Sequence, residues 1–445
     1  MVPTALRVPR YSRHMTQSTV EPLTDPPARV YRSGTTASFM DALTALYIFL
    51  LALLEPTNWW FFPNYLFVIV LLLSAFAILY SGRVRNPRLV PGALPALALL
   101  VWLAVCAVLG ADPARSVHSV RYVASVYGIG FILVINTKTW RQVRMWLGAL
   151  ALGCLVLAIA TLVTGSYAAF ADGVRTTGVA RQENALGQAM TAGVAVAVLA
   201  APLMPRARRL LHFVYIPILL AALLLSGSRG AAISALTVLA TFLFLEVLPR
   251  VHRHVYAISV AAVVCAAIVA LRPEVFLDNP LSNRIQAMVA AGGVTTDDRW
   301  GIYVHAWRLF LSNPVTGVGL GNYQLFNPAY VYTHSAALEL LVGAGVVGAL
   351  LYYLQLGSVM RKCLALARTF DGDIRRFFNA GIASISGVTV QGAFSLVYQN
   401  KLFTVVLFLT MGAVAVAIAE QYPRRSRPAY GMTLQEDVTP EDTKR

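Results

Sequence analysis

Long apolar segments separated by short polar segments recur along most of the chain. Each apolar segment approaches the roughly 18–20 residues that a helix needs to cross the hydrocarbon core of a bilayer. The pattern predicts an all-α polytopic membrane protein. We expect about twelve membrane-spanning helices, at 38–55, 62–80, 92–110, 117–136, 145–164, 185–204, 212–227, 231–248, 255–271, 336–358, 378–397 and 402–420.

The polar segments predict how the chain is divided. Residues 1–36 are polar, basic and proline-containing, which favours a disordered cytoplasmic tail and no cleavable signal peptide. Helices 1–9 then occupy 37–271, one large periplasmic loop occupies 272–335, helices 10–12 occupy 336–420, and a second cytoplasmic tail occupies 421–445.

The large loop contains an amphipathic segment, TTDDRWGIYVHAWRLFLSNP. Its opening Thr and Asp residues favour a helix N-terminus, and its closing Asn-Pro favours a helix end. Trp300, Tyr303 and Trp307 recur at helical spacing. We therefore expect an amphipathic helix that lies on the membrane or caps the bundle. The irregular, glycine-rich loop that follows it is of a kind that often carries function.

Composition and charge agree with a membrane protein. The chain is 58% hydrophobic and only 13% charged, whereas soluble domains carry about 25% charged residues. With the N-terminus inside, 26 of the 36 Lys and Arg residues fall in cytoplasmic loops and tails, as the positive-inside rule requires. The net charge of +16 therefore reports topology, and no nucleic-acid partner is expected.

Ten basic residues fall on the predicted outer side, where positive charge is normally avoided. The guanidinium fork matches phosphate oxygens, so several outer arginines suggest a bound lipid phosphate or pyrophosphate. Pairing with acidic residues or snorkelling to headgroups is the alternative. This alternative role is favoured for Arg115, Arg272, Arg284 and Arg308. The turn at 398–401 is a weaker phosphate candidate. The ten are Arg115, Arg121, Arg175, Arg181, Arg229, Arg272, Arg284, Arg299, Arg308 and Lys401.

Arg229 stands out because it lies in a Ser/Gly break between two apolar helices, LLLSGSRGAAISAL. A charge at such a place is costly. The start of the next helix offers backbone N–H groups to an anion. We favour a phosphate-binding role for Arg229 over snorkelling.

The stretch YVYTHSAALELLVGAGVVGALL combines a histidine with a G-x-G-x-x-G pattern at 343–348. A dinucleotide fingerprint must follow a β-strand, whereas this one lies within a predicted membrane helix, where small residues favour close helix packing. His334 starts the tenth helix on the outer side. From position alone it is either a structural residue or a general base.

No spacing of His, Cys, Asp or Glu is typical of a metal site, so we expect no metal and no cofactor. Asp371 and Asp373 form a carboxylate pair, D-G-D. They lie in a basic cytoplasmic loop, which favours a solvated turn.

The chain resembles the O-antigen ligase family, most specifically over about 175–355. In the stretch that follows His334, family members carry a small or amide residue, an acidic residue and glycines, here Ser335, Glu339, Gly345 and Gly348. Asn is commoner than Ser after the histidine. Pro is likewise commoner in the family than the Glu before Asn184. The four stretches that carry the resemblance are RTTGVARQENALGQ, SGSRGA, DDRWGIYVHAWRLFLSNPVTGVGLGNY and THSAALELLVGAGVVGALLYY.

The resemblance implies a GT-C-like membrane glycosyltransferase in the inner membrane of a Gram-negative bacterium, with its active site facing the periplasm. Such an enzyme transfers O-antigen from undecaprenyl pyrophosphate to a sugar hydroxyl of lipid A–core. It is metal-independent and inverting. The implied partners are these two lipids and the surrounding membrane.

The resemblance also implies roles for particular residues. His334 would orient or deprotonate the acceptor hydroxyl, with Asp297 and Asp298 as fallback bases that N-capping also explains. Asn184 would position a sugar or phosphate. His305 is expected to pack on its helix face. The catalytic arginines would be Arg229 and Arg299. The implied pyrophosphate ligands are Arg175, Arg181, Arg229 and Arg299.

Three other functions remain open. An O-antigen polymerase uses the same donor but extends another lipid-linked glycan, and a protein O-oligosaccharyltransferase modifies Ser or Thr of a pilin-like protein. One large outer loop that holds the histidine favours the ligase. A transporter of the lipid-linked glycan is disfavoured, because transporters carry charges at mid-membrane and often show internal repeats.

Overall fold

The structure is a computed structural model of the chain, and its described residues belong to one unit, 37–445. Two predicted membrane helices, 62–80 and 255–271, lie outside the described residues, as do the N-terminal tail and most of the C-terminal one. The structure describes residues 39–57, 90–164, 180, 182–247, 280–290, 298–327 and 331–425.

The described residues form α-helices joined by short turns, with no β-strand among them. Short 3₁₀ segments occur at Ala201–Leu203 and Val397–Gln399, and α7 ends in a π-helical turn at Leu243–Val247. Numbered in chain order, the helices are α1 Phe39–Leu54, α2 Ala93–Leu109, α3 Pro113–Asn136, α4 Trp140–Thr164, α5 Glu183–Ala200, α6 Arg206–Ser226, α7 Arg229–Phe242, α8 Pro280–Ala290, α9 Asp298–Ser312, α10 Tyr323–Phe326, α11 Ala336–Thr369, α12 Gly372–Gln391 and α13 Lys401–Arg425.

Seven of the described helices are long and apolar enough to cross a membrane, which confirms the all-α polytopic fold class. Helices α1 and α2 are apolar but shorter, and α12 is not among the seven. The count of twelve remains a prediction. The seven segments are Pro113–Asn136, Trp140–Thr164, Glu183–Leu203, Ala207–Ser226, Arg229–Glu246, Ala336–Thr369 and Lys401–Gln421.

Some helix ends differ from the prediction because apolar runs do not mark where a helix stops. Helix α11 continues to Thr369, so Arg361, Lys362 and Arg368 lie on a helix instead of in a loop. Such residues have high helix propensity and extend a helix beyond the apolar part. Helix α12 ends at Gln391, six residues before the predicted 397.

Helices α5 and α13 form the centre of the bundle and are buried along nearly their whole length. The sequence of α5, ENALGQAMTAGVAVAVLA, is almost entirely small or β-branched after its first turn. Small side chains let neighbouring helices approach closely, which is how membrane helices gain packing energy. Helices α4, α6, α7, α12 and α13 all contact α5.

Ion pairs tie the helices together at both ends of the bundle. At one end Lys401 Nζ lies 2.9 Å from a Glu55 carboxylate oxygen, which joins the start of α13 to the end of α1. At the other end the Arg209 guanidinium lies 2.8 Å from Asp373 and joins the starts of α6 and α12. The D-G-D turn is thus fastened to a neighbouring helix through Asp373.

Lys401, in the turn at 398–401 that the sequence offered as a weak phosphate candidate, is buried. It is only 3% exposed and its charge is matched by Glu55. The Asn400 side-chain oxygen accepts the Leu402 N–H at 2.9 Å and caps α13. The structure thus gives Lys401 a partner inside the fold.

Helix α11 is kinked at Gly345, where the backbone has φ 66° and ψ −172°. A Cβ there would lie 1.9 Å from the Val315 carbonyl oxygen. The Val346 N–H donates to Pro314 O, and the Val318 N–H donates to Val342 O, both at 2.8 Å. The expectation of simple helix–helix packing was therefore wrong at Gly345, since the opened helix binds the loop that follows α9.

Candidate functional site

A cavity of about 310 Å³ lies where the ends of several helices meet. We call it the first cavity. Four of the six site residues predicted from the sequence line it, namely Asn184, Arg229, Arg299 and His334. The other two, Arg175 and Arg181, lie outside the described residues. The lining residues are Gln182, Asn184, Gln188, Ser228, Arg229, Gly230, Ile233, Arg299, Trp300, Tyr303, Tyr332, His334, Gln391, Phe394 and Ser395.

Arg229 is the first residue of α7, directly after a sharp turn. Gly227 ends α6 in the left-handed conformation with φ 58°, and Ser228 is extended. Ser228 makes no side-chain capping hydrogen bond to α7. The first N–H groups of a helix have no partner within the helix, and the helix dipole makes this end positive. The start of α7 therefore presents both a guanidinium and a helix N-terminus to the first cavity.

Gly230 lets the start of α7 lie directly against the segment that follows α12. A Cβ at Gly230 would lie 2.4 Å from Phe394 Cβ. Gly187 on α5 plays a similar part, because a Cβ there would lie 2.7 Å from Ser228 Cβ. The two glycines let α5 and the segment after α12 lie close to the start of α7.

Arg299 belongs to the predicted amphipathic helix, which the structure contains as α9. The Tyr303 hydroxyl, one turn further along, lies 3.5 Å from the Ala393 carbonyl oxygen. The Tyr323 hydroxyl donates to Ile302 O at 3.0 Å. Burial, with a smaller contribution from the Glu339 charge, raises the pKa of Tyr323 to about 12, so it remains a donor. These contacts fix α9 over the bundle.

His305 lies on α9 and does not line the first cavity. His305 packs against Tyr323, with ring centroids 5.7 Å apart. Asp297 and the side chain of Asp298 lie outside the described part of the chain. The structure thus leaves His334 as the imidazole that lines the first cavity.

His334 adopts a left-handed backbone conformation with φ 56°, the one positive φ of a non-glycine residue in the described ranges. Such conformations cost energy and persist where neighbouring contacts impose them. Glu339 accepts the Thr333 N–H at 3.1 Å. The Thr333 hydroxyl donates to Ser335 O at 2.9 Å. The His334 ring lies against the Tyr332 ring, with centroids 4.1 Å apart.

Gln391 is a cavity residue that sequence reasoning missed. It is 2% exposed, and its amide N–H donates to Ser395 Oγ at 3.0 Å. Its side-chain oxygen has no hydrogen-bond partner. A buried acceptor without a partner is uncommon. The sequence feature that could have indicated Gln391 is a single amide residue at the end of an apolar helix, in GVTVQ.

The arrangement can bind an anion beside a group that moves a proton. Two guanidinium groups and a helix N-terminus suit phosphate oxygens. An imidazole can accept a hydroxyl proton, and the Gln391 oxygen can hold a hydroxyl group. Within the described residues, no group of three or more His, Cys, Asp or Glu could hold a metal ion.

Comparison with known proteins gives one family match. The sequence model of the family described as O-Antigen ligase matches residues 214–353, a range that includes Arg229, Arg299 and His334. A comparison with curated proteins gives no match. One similar solved chain comes from work described as "Structural coordination of polymerization and crosslinking by a peptidoglycan synthase complex". It is 18% identical with a TM-score of 0.44, and the match covers 74% of this chain and 97% of that chain. The resemblance seen in the sequence is confirmed: the chain is a multi-pass helical membrane protein whose residues 214–353 match the O-antigen ligase family model.

Proposed function

We propose that the chain is a GT-C-like glycosyltransferase of the Gram-negative inner membrane. It transfers O-antigen from undecaprenyl pyrophosphate to a sugar hydroxyl of lipid A–core on the periplasmic side. The observation that carries the proposal is the convergence of Arg229, Arg299 and His334 on one cavity at an end of the membrane helices. The opposite end of the bundle carries basic residues such as Arg209, which supports a cytoplasmic position for that end.

The donor pyrophosphate binds between the two arginines of the first cavity. Arg229 and the N-terminus of α7 approach it from the bundle, and Arg299 approaches it from α9. Arg175 and Arg181 are proposed as further ligands. When the glycosidic carbon–oxygen bond breaks, its electron pair goes to the pyrophosphate oxygen. Cationic groups already in place around that oxygen stabilise the developing charge.

The acceptor hydroxyl attacks the anomeric carbon from the side opposite the departing pyrophosphate. One carbon–oxygen bond forms as the other breaks, so the configuration at that carbon is inverted. His334 accepts the proton of the attacking hydroxyl, and Asn184 positions the sugar or phosphate beside it. The metal-independent character of the reaction is part of the proposal. A positioned base of this kind contributes a rate factor of about 10²–10⁴.

The test is a transfer assay with purified protein in nanodiscs, undecaprenyl pyrophosphate-linked glycan, EDTA and no nucleotide. Lipid A–core, a second lipid-linked glycan and a pilin-like protein are offered separately as acceptors. The proposal predicts glycosylated lipid A–core as the product. Lengthening of the lipid-linked glycan alone would indicate a polymerase, and glycosylation of the protein alone would indicate a protein O-oligosaccharyltransferase.

Transport of the donor is tested in sealed proteoliposomes. Movement of the lipid-linked glycan across the bilayer without formation of a new glycosidic bond would contradict the proposal. The same preparation must carry out transfer when lipid A–core is added.

A further inference from the structure

A second cavity of about 720 Å³ adjoins the first. Gln182, Gln188, Tyr332 and Ser395 line both cavities and form the wall between them. Tyr332 also lies against the His334 ring. A volume in the range of about 300–1,000 Å³ is typical of a ligand site. The reaction described above uses the first cavity and gives the second no occupant.

Amides are the most numerous type of side chain in the lining of the second cavity. An amide group carries two donor hydrogens and an acceptor oxygen, the chemistry that sugar hydroxyl groups require of a binding site. Asn400 donates to the Gln188 oxygen and Arg115 donates to the Gln324 oxygen. The Gln188 and Gln324 N–H groups are therefore left as donors for a ligand. Tyr122 and Tyr332 add aromatic rings, which combine an apolar face with a polar end. Ser119 and Ser395 add hydroxyl groups. The amides are Gln182, Gln188, Gln324, Gln399 and Asn400.

The charged groups of the second cavity do not form a phosphate site like that of the first. Glu55 lines the cavity, but Lys401 lies 2.9 Å away and balances its charge. Arg115 donates to the Gln324 side-chain oxygen at 3.3 Å. Among the described lining residues Arg115 is the single arginine, and Glu339 and His118 also line the cavity. The lining thus suits a hydroxyl-rich ligand better than a pyrophosphate.

We propose that the second cavity binds a saccharide and presents its reacting end to His334 across the shared wall. The inference rests on the proposed function, because it takes the saccharide to be part of one of the two substrates. The same hydroxyl chemistry is present in the acceptor core and in the donor glycan. The experiment therefore measures binding of the acceptor core and binding of the donor glycan separately.

The inference is tested by exchanging a residue that lines the second cavity but not the first. Gln324→Ala removes an amide from α10, while Gln286→Ala removes an exposed amide from α8 that lines neither cavity. Affinity for fluorescently labelled core oligosaccharide, for undecaprenyl pyrophosphate-linked glycan and for inorganic pyrophosphate is measured by microscale thermophoresis. This readout does not depend on turnover, so it remains informative if the proposed transfer reaction is absent.

We expect Gln324→Ala to weaken the binding of one saccharide ligand about fivefold to tenfold, the effect of losing one hydrogen bond. Its pyrophosphate affinity and the affinities of Gln286→Ala should stay at wild-type values. Weaker core oligosaccharide binding identifies an acceptor site, and weaker lipid-linked glycan binding identifies a donor-glycan site. Unchanged affinity for both saccharides in Gln324→Ala and in a second variant of the second-cavity lining, His118→Ala, would overturn the inference.

Discussion

The Glu339 carboxylate accepts a hydrogen bond from the Thr333 backbone N–H at 3.1 Å, one residue before His334. The contact links the first turn of α11 to the loop that carries the proposed base. Glu339 is 3% exposed, so this hydrogen bond is formed away from solvent. The geometry makes Glu339 a positioning residue for His334.

Glu339→Gln should retain most of the transfer rate, because an amide oxygen can still accept the Thr333 N–H. Glu339→Ala should lower kcat and leave donor affinity unchanged. It should also lower the free energy of unfolding by about 1–3 kcal/mol, because a buried donor loses its partner. A transfer assay measures kcat, and thermal unfolding in detergent measures the change in stability. Equal kcat and equal stability in the two variants would contradict the positioning role.

His334→Asn and His334→Ala separate the chemistry of the imidazole from its backbone conformation. Both should lower kcat by about 10²–10⁴, because neither can act as the base. Asn tolerates a left-handed conformation better than Ala. We therefore expect the Asn variant to unfold at a higher temperature than the Ala variant. Full kcat in either variant would remove His334 from the proposed mechanism.

Arg229→Lys and Arg299→Lys should each weaken donor binding about tenfold or more, because lysine cannot contact phosphate through two parallel hydrogen bonds. The measurement is competition between undecaprenyl pyrophosphate and inorganic pyrophosphate. Arg308→Lys is the matched control, since Arg308 lies on α9 but is exposed and lines neither cavity. A similar loss in all three variants would contradict a specific role for the two cavity arginines.

Gln391→Leu should lower activity and leave stability almost unchanged. Loss of the acceptor oxygen should lower kcat/KM about tenfold if a substrate hydroxyl binds there. The free energy of unfolding should change little, because removal of a buried acceptor without a partner offsets loss of the hydrogen bond to Ser395. Parallel losses of stability and activity would instead give Gln391 a structural role.

Gly345→Ala should lower the free energy of unfolding by about 3 kcal/mol or more, since only glycine readily adopts this backbone conformation and a Cβ would overlap Val315 O. Gly357→Ala on the same helix is the control, because a Cβ there meets nothing within 4 Å. That exchange should be neutral or stabilise the helix by about 0.5–1 kcal/mol. The two are compared by thermal unfolding in matched detergent.

Apolar periodicity was sufficient to predict the helical class and the amphipathic helix α9. Charge placement put Arg229 and Arg299 among ten outer basic residues, because positive charge is normally avoided there. The Ser/Gly break singled out Arg229, and the family resemblance singled out Arg299. The resemblance to a family assigned His334 its role. Arg229, Arg299 and His334 lie close together because helix ends converge on the first cavity.

Other features depend on contacts between distant parts of the sequence. Lys401 is an outer cation by sequence, but in three dimensions it lies beside Glu55, 346 residues away. In the sequence, Gln391 is a single polar residue at the end of an apolar run. Only the structure shows that its side-chain oxygen has no partner and that the residue lines the first cavity. The kink at Gly345 results from hydrogen bonds to a loop that no local pattern encodes.

The most direct test of the account is a cryo-electron microscopy structure of the wild-type protein in nanodiscs with undecaprenyl pyrophosphate. We predict density for the pyrophosphate in the first cavity, in contact with the guanidinium groups of Arg229 and Arg299 and beside His334. Pyrophosphate density in the second cavity, or at the opposite end of the bundle, would contradict the assignment of the first cavity as the site of transfer.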